Sequence, residues 1–439
     1  MIPLVLAAPV ALAGPTGEAA TVETAPMLKD PARLMGWLVQ HNHAVLSAAA
    51  RLDQAAADLA QSRLLPNPSL TTSLSDVPVG TTNPPGLGFK ETSIYGAALS
   101  QTLEIGKRGP RIAAARLRLE AERQSYLDTL TRTTAEARYA LGRVIYLGAR
   151  QAVLEENLAA ARQNLDLQRT RAESGDLSGN DYDRLLVDTL ILESEVSGNR
   201  QEHEAALASC GALLVAPCAD GGADPGALAD SVPIAGTPDV EATLGRRPDL
   251  EALALTRDAA RQDALLARRR RYPDPNLSLG YTHDNLTISG DQPDTLMLSL
   301  GIPLPVFDRG QHEAQRADGR ARELDWTARG VHEQGRAEAA SLLGRKASLE
   351  STLRTLVDQA VPRSKGILEA TLTAVNQGGM SMTDLLLARR THTDLMLKVM
   401  DLQFDLFAVR NDLRRALGLD VDAARQVAGA AGALEEVHP

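Results

Sequence analysis

The stretch LSQTLEIGKRG at residues 99–109 returns as LGIPLPVFDRG at residues 300–310, about 200 residues further along the chain. Two further landmarks repeat in the same order, LLPNPSL at residues 64–70 as RYPDPNL at 271–277, and GDLSGND at 175–181 as GGMSMTD at 378–384. Because solenoid repeats have much shorter periods, this spacing predicts two copies of one structural plan.

Each copy contains segments in which apolar and polar residues alternate with the two-residue period of a β-strand. In the second copy, Leu296, Leu298 and Leu300 alternate with Met297 and Ser299. The pattern predicts a strand pair in each copy, at about residues 68–79 and 92–105, and at about 275–283 and 295–305. Strands of roughly ten residues cross an outer membrane when they are tilted.

Alternation is also expected of strands in a soluble sandwich. Four amphipathic strands within helical sequence do not make a sandwich core, however, and they are too few for a bacterial outer-membrane barrel, which needs at least about eight. If the strands are transmembrane, several chains must share one barrel, and a trimer would supply twelve strands.

The remaining sequence predicts long helices that pair as antiparallel hairpins. No proline occurs between Arg111 and Ala216, so a first helix of some 60 residues, about 90 Å long, is expected to end near Glu173. The hairpin tips fall at residues 174–181 and 377–384, where glycine can end the incoming helix and an acidic residue can cap the outgoing one. Pro362 should kink or break the second long helix.

The landmarks divide the chain into six segments. They are a signal-peptide-like segment at 1–13, an N-terminal extension at 14–33, repeat 1 at 34–214, a linker at 215–239, repeat 2 at 240–420 and a flexible tail at 421–439. Cys210 and Cys218 are compatible with either a local disulfide or two free thiols.

Composition excludes several classes of protein. The chain has only 4 Phe, 7 Tyr and 2 Trp among 439 residues, which is a small supply for a large globular core. A net charge of −10 argues against nucleic acid as a partner. The sequence contains no run of 18 or more apolar residues, so it predicts no transmembrane helix.

The order helix, Pro-x-Pro, strand hairpin, Arg-Gly, long helix, glycine turn and helix, present twice, resembles the outer-membrane efflux protein (TolC-like) family. The resemblance extends from about Leu34 to Asp420. Within it, residues 100–108 resemble the divalent-metal (CzcC-like) branch, in which a Gln-x-x-Glu stretch leads into Gly-Lys-Arg.

The resemblance implies a mainly α fold with a β-barrel portion. Three chains would form a twelve-stranded barrel in the outer-membrane lipid, continued by a twelve-helix tunnel through the periplasm. Partners would be a periplasmic adaptor (membrane fusion) protein and an inner-membrane RND-type pump. Carried over to this sequence, the adaptor-docking tips are Gly175, Leu177, Ser178, Gly378, Met380 and Ser381, and the residues at the tunnel entrance are Asp181 and Asp384.

This sequence departs from the family pattern near the tips. A second acidic position of the entrance is Leu387 here, and a tyrosine common before the turn is replaced by Ala172 and Val375. These departures concern the details of the gate.

No catalytic motif, cofactor motif or metal-ligand spacing stands out. His203, His312 and His332 each precede a glutamate, but none has the second histidine of a zinc-protease motif. His41 with His43, and Met380 with Met382, could bind soft metal ions, but we favour a helix end and tip packing as the explanation of these residues. We therefore predict no enzyme activity and no cofactor.

The leading hypothesis is the outer-membrane component of a tripartite efflux system that passively conducts divalent heavy-metal cations. Drug efflux and type I protein secretion are alternatives for the cargo. A soluble coiled-coil scaffold and a hydrolase with helical insertions are the alternatives from other classes.

Overall fold

The structure is a computed structural model that describes residues 21–82, 85–174, 178–222, 225–234, 236, 238–286, 292–377 and 379–432. The described residues form two compact units. The sheet unit comprises residues 47–128 and 245–334, and the helical unit comprises residues 21–46, 129–244 and 335–432. The fold is mostly helical, as the sequence predicts.

The elements follow in this order: β1 (Val22–Glu23), α1 (Thr24–Lys29), α2 (Pro31–His41), α3 (His43–Ser62), β2 (Ser69–Ser75), α4 (Phe89–Thr92), β3 (Ile94–Thr102), α5 (Arg108–Glu173), α6 (Gly179–Leu214), β4 (Cys218–Ala219), α7 (Val240–Leu244), α8 (Pro248–Arg269), β5 (Asn276–Asp284), β6 (Asp294–Gly301), α9 (Gln311–Thr355), α10 (Val361–Asn376), α11 (Met382–Ala416) and α12 (Val421–Ala430).

The sheet unit contains one antiparallel sheet in the order β2-β3-β5-β6. The strands β2, β3 and β6 are shorter than the predicted segments, and local features account for the ends of β2 and β6. β2 ends at Ser75 because Asp76 takes a left-handed conformation with φ of 52°. β6 ends at Gly301 because Pro303 and Pro305 have no N–H to donate to a neighbouring strand.

In the helical unit the apolar stripes of α9 and α11 pack together. Ala339 and Leu342 contact Val409 and Leu413 in one buried cluster. A second cluster joins the hairpin α5–α6 through its own buried leucines and valine, Leu154, Leu158 and Val196. These helices are therefore held by tertiary burial rather than by helix propensity alone.

The second long helix is interrupted at the expected place. α9 ends at Thr355, a π-helical turn spans Leu356–Ala360, and α10 begins at Val361 with Pro362 in its first turn. Proline is tolerated there because the first N–H groups of a helix need no intrahelical acceptor.

The C-terminal segment differs from the flexible tail predicted for residues 421–439. Residues Val421–Ala430 form α12, and Val421, Ala424 and Ala428 are buried on one side of it. The glycines of this alanine- and glycine-rich segment argue against a helix, but alanine is a strong helix former and the spacing of these three residues gives the helix an apolar face. Residues 433–439 lie outside the described part of the chain.

Cys210 and Cys218 form a disulfide with a Cα–Cα distance of 6.1 Å, which decides between the two states that the sequence left open. Among the described helices, none is both long and apolar enough to cross a bilayer.

Candidate functional site

One face of the four-stranded sheet is apolar and exposed. In the register of the sheet, Leu70 lies opposite Leu99, Leu99 opposite Leu279, and Leu279 opposite Leu298. Four leucines therefore form one row across all four strands. Their exposures lie between 53% and 72%. A water-exposed leucine row of this kind is costly, because each side chain forgoes the transfer free energy of burial, and it indicates an apolar environment.

The opposite face carries mostly small and hydroxylated side chains, although it also includes Met297. The row next to the leucines consists of Ser69, Ser100, Ser278 and Ser299, and the hydroxyls of Ser69 and Ser100 lie 2.7 Å apart. This face therefore suits contact with water.

Gly96 on the polar face leaves room for the side chain of its cross-strand partner. A Cβ on Gly96 would lie 2.4 Å from the hydroxyl oxygen of Ser73, its cross-strand partner.

The turn glycine of the second Arg-Gly landmark, Gly310, is constrained by its backbone. It has φ of 75°, and a Cβ there would lie 2.0 Å from the carbonyl oxygen of Ala267.

The two edges of the sheet are open. β2 pairs with β3, and β6 pairs with β5, but neither has a second strand partner among the described residues. The outer backbone groups of β2 and β6 can therefore accept a further strand on either side.

At the second hairpin tip, the predicted capping box is present. The Asp384 backbone N–H donates to the Ser381 hydroxyl oxygen at 3.2 Å, and the Ser381 backbone N–H donates to the Asp384 carboxylate at 3.1 Å. The Ser381 hydroxyl and its backbone N–H, which donate to the carboxylate, lower the pKa of Asp384, so it is ionised at neutral pH. Asp384 is exposed, as a residue at an entrance would have to be.

Several predicted tip residues lie outside the described part of the chain. These are Gly175, Leu177 and Gly378, and of Asp181 only the backbone is described. Ser178 precedes α6 at its N-cap position, Met380 is 45% exposed, and the Gly379 N–H closes the end of α10 by donating to the Ala374 carbonyl at 2.8 Å.

A groove of about 410 Å³ runs between α5, α6 and α11 beside the second tip. Its lining includes Ser381, Met382 and Leu387, and the side-chain amide of Asn164 lies 3.9 Å from the Met382 sulfur. Leu387, which departs from the acidic pattern of the family, is 65% exposed here.

The histidines singled out in the sequence do not belong to a cluster of candidate metal ligands. Within the described residues, no three His, Cys, Asp or Glu side chains are grouped so that they could hold a metal ion. His41 stacks on Trp37 and bonds its carbonyl at 3.0 Å, and His203 lies 3.6 Å from Asp220.

The sequence analysis missed a buried ion network in the helical unit. Arg138 contacts Asn411 and Asp420, each at 3.1 Å, and Arg414 contacts the other oxygen of Asp420 at 2.6 Å. Burial alone would raise the pKa of Asp420, but the two guanidinium charges hold it below its ordinary value. Nothing in the sequence distinguishes Arg138 from the many other arginines of α5.

Comparison with known proteins gives consistent results. The sequence model described as outer membrane efflux protein matches residues 34–210 and 240–419. The cobalt-zinc-cadmium resistance protein CzcC of Cupriavidus metallidurans is 23% identical over 382 residues, which cover 85% of this chain and 86% of CzcC. The nickel and cobalt resistance protein CnrC of the same organism is 25% identical over 280 residues, which cover 61% of this chain and 62% of CnrC.

Among solved structures, the open state of the Neisseria gonorrhoeae MtrE outer membrane channel superposes with a TM-score of 0.74 at 17% identity, covering 95% of this chain and 98% of MtrE. This likeness concerns the fold. The family model, in contrast, matches well over half of the sequence, in the two segments that the repeated landmarks delimit. The chain therefore belongs to the outer membrane efflux protein family and is an outer-membrane protein.

Proposed function

We propose that this protein is the outer-membrane channel of a tripartite efflux system. In this proposal the chain consists of two structural repeats, and three chains form a twelve-stranded barrel in the membrane and a twelve-helix tunnel in the periplasm. The observation that carries the proposal is the sheet, with its exposed leucine row on one face, its serine row on the other and two open edges.

Closure requires more than one chain, and we take three because that is the number that the resemblance to the efflux family implies. Four strands are too few for a barrel that excludes lipid, whereas three copies supply twelve. The strands alternate in direction from β2 to β6, so β6 of one copy can pair antiparallel with β2 of the next and continue the same pattern. Leucines would then face lipid and serines the lumen.

The channel would catalyse nothing. Its role would be to enclose a water-filled path, while an inner-membrane RND-type pump supplies the energy and a periplasmic adaptor connects the two. We place adaptor docking at the hairpin tips, which include Ser178, Met380 and Ser381, together with Gly175, Leu177 and Gly378 outside the described residues. Asp384 and Asp181 would lie at the tunnel entrance.

Divalent heavy-metal cations are the proposed cargo. Support comes from the names of the relatives CzcC and CnrC, which are metal resistance proteins, and from the CzcC-like stretch at residues 100–108. A strain that lacks this protein should become more sensitive to cobalt, zinc, cadmium or nickel salts, and a plasmid copy should restore growth. Unchanged metal tolerance together with increased sensitivity to drugs would reject the cargo while keeping the conduit.

The conduit is tested with purified protein in planar bilayers. We expect stepwise single-channel currents and a detergent-solubilised mass of three chains. A water-soluble monomer that produces no currents would reject the proposal and favour a scaffold.

A further inference from the structure

The four junctions between strands and helices all lie at one end of the sheet. The Leu103 N–H donates to the Pro275 carbonyl at 2.9 Å, and the Ile105 N–H donates to the Asp274 carboxylate at 3.0 Å. The segments before β2 and after β6 join the same end, because the strands are antiparallel throughout.

Exposed apolar side chains continue from the leucine face into these junctions. Leu103, Leu304 and Val306 lie just beyond the ends of β3 and β6, with exposures of 46%, 76% and 58%. Phe307, at 92%, is almost fully exposed. Exposed apolar side chains are therefore present in the junctions as well as on the leucine face.

Arginines occur among these apolar residues. Five have no carboxylate partner within the described part of the chain, namely Arg63, Arg108, Arg269, Arg271 and Arg309. We refer to these arginines, together with Tyr272, Leu304, Val306 and Phe307, as the junction belt.

Two neighbouring cations are paired with carboxylates, and the exposed Asp308 carboxylate accepts the Gly310 N–H, so the five arginines of the belt outnumber the negative charge beside them. Lys107 bonds to Asp274 at 2.6 Å, and Arg268 bonds to Asp318 at 2.5 Å. The belt thus keeps an excess of positive charge in a chain whose net charge is −10.

Tyr272 contacts two of these arginines. The guanidinium groups of Arg271 and Arg269 are 4.8 Å and 5.8 Å from its ring centroid, and Arg271 donates to the Tyr272 hydroxyl at 2.7 Å. An aromatic ring and cations at the end of an apolar face are the combination found where a protein meets lipid headgroups.

We propose that the junction belt binds the phosphate groups of anionic phospholipids in the leaflet next to the strand–helix junctions. This inference rests on the proposed function, in which the sheet crosses the membrane. Guanidinium groups match the geometry of phosphate oxygens, and a cation near an anionic surface gains additional attraction from the surface potential. The exposed apolar residues of the belt would contact the adjacent acyl chains.

The test measures lipid selectivity of the full-length protein reconstituted in phosphatidylcholine, using spin-labelled phosphatidylglycerol and spin-labelled phosphatidylcholine as probes. The wild-type protein should immobilise the anionic probe preferentially. The triple variant Arg269→Gln, Arg271→Gln, Arg309→Gln should lose that preference by about tenfold or more, because three cations near the headgroups are removed.

A matched control removes three exposed arginines further along the helices of the same unit, by Arg116→Gln, Arg316→Gln and Arg322→Gln. This control should keep the preference. An equal loss in the control, or no preference in the wild type, would overturn the proposal.

A soluble anion or a second copy of the chain would give a different result from a lipid headgroup. If inorganic phosphate abolishes the preference and chloride at equal ionic strength does not, the belt is a site for soluble phosphate and the lipid proposal is wrong. If the triple variant fails to form trimers, the belt is a contact between copies, and the proposal is again wrong. A wild-type protein that inserts and conducts but shows no lipid preference refutes only this inference, whereas failure to insert refutes the proposed function.

Discussion

The Asp384 carboxylate is hydrogen-bonded to Ser381, the N-cap residue of its own helix α11. The bonds between Asp384 and Ser381 use the carboxylate as a helix cap, and the spacing Ser-x-x-Asp is sufficient to predict them from the sequence. The cap leaves the side chain exposed and charged, so Asp384 is available for its proposed second role at the proposed tunnel entrance.

Charge reversal separates these two roles. In Asp384→Lys the entrance would lose three negative and gain three positive charges per trimer, so the preference for cations over anions in bilayer recordings should fall. Ser381→Ala removes the cap but retains the carboxylate, and it should leave the ion preference close to that of the wild type. Identical reversal potentials for Asp384→Lys and the wild type would rule out an entrance role for Asp384.

Asp420 illustrates a contact that local sequence cannot predict. Its partners Arg138 and Arg414 lie on α5 and α11, and only the packing of the helical unit brings them to the start of α12. Composition alone predicts a flexible tail because it takes no account of such distant partners.

Replacement of Asp420 should be strongly destabilising. Asp420→Asn leaves the buried Arg138 charge without a counter-ion, and breaking a buried pair in this way costs about 3–5 kcal/mol. Thermal unfolding of the purified protein should therefore begin at a lower temperature. The control is Asp422→Asn in the first turn of α12, where the side chain is 80% exposed. Equal effects of both substitutions would contradict the importance of the network.

The same pair predicts a dependence of stability on acid. Because the folded protein lowers the pKa of Asp420 below the ordinary 3.8, the pair contributes its full stabilisation above that value and loses it as pH falls through the folded-state pKa. The difference in stability between wild type and Asp420→Asn should be constant near neutral pH and shrink below about pH 4. A difference that shrinks between pH 8 and 6 instead would assign the effect to another group.

Among the elements, the strands are the easiest to predict and their ends the hardest. Alternation reports which residues share a face, so the leucine face is evident from Leu296, Leu298 and Leu300. The end of β2 depends on the left-handed Asp76, a conformation that the apolar pattern does not encode. The pairing of β3 with β5, which joins the two strand pairs, is also beyond the reach of periodicity.

The two faces of the sheet make a prediction that adjacent residues can test. Leu298→Arg places a charge on the leucine face and should prevent assembly in the outer membrane, since arginine near the bilayer midplane costs about 2–4 kcal/mol in each copy. Ser299→Arg places the same side chain on the opposite face and should still allow insertion. Membrane fractionation with heat-modifiable migration on gels measures both. Equal insertion of the two variants would contradict the assignment of the faces.

The boundaries of the long helices can be predicted from the sequence where glycine or proline interrupts them. The start of α10 beside Pro362 is predictable because proline lacks an N–H, whereas the π-helical form of the preceding turn, Leu356–Ala360, is not. The helix α12 escapes prediction because three buried small residues give only a weak apolar signal.

At the scale of the whole molecule, the proposed channel depends on the assembly of several copies of the chain. One chain presents a sheet with two open edges and a leucine face that water does not favour, and both features are resolved if copies of the chain pair edge to edge within lipid.

Disulfide cross-linking between the two edges tests this claim most directly. Cysteines replace Leu70 or Thr72 in β2 and Leu296 or Leu298 in β6, in all four pairwise combinations. Within one chain these strands are three strand spacings apart, about 14 Å, which is too far for a disulfide.

The matched control moves the first cysteine from Thr72 to Ala97, which lies in the inner strand β3 and has neighbouring strands on both sides. The account predicts that at least one edge pair gives covalent dimers and trimers on non-reducing gels, while the control pair gives none. Monomers from every edge pair, in protein that has been recovered from the outer membrane, would contradict a barrel shared by three chains.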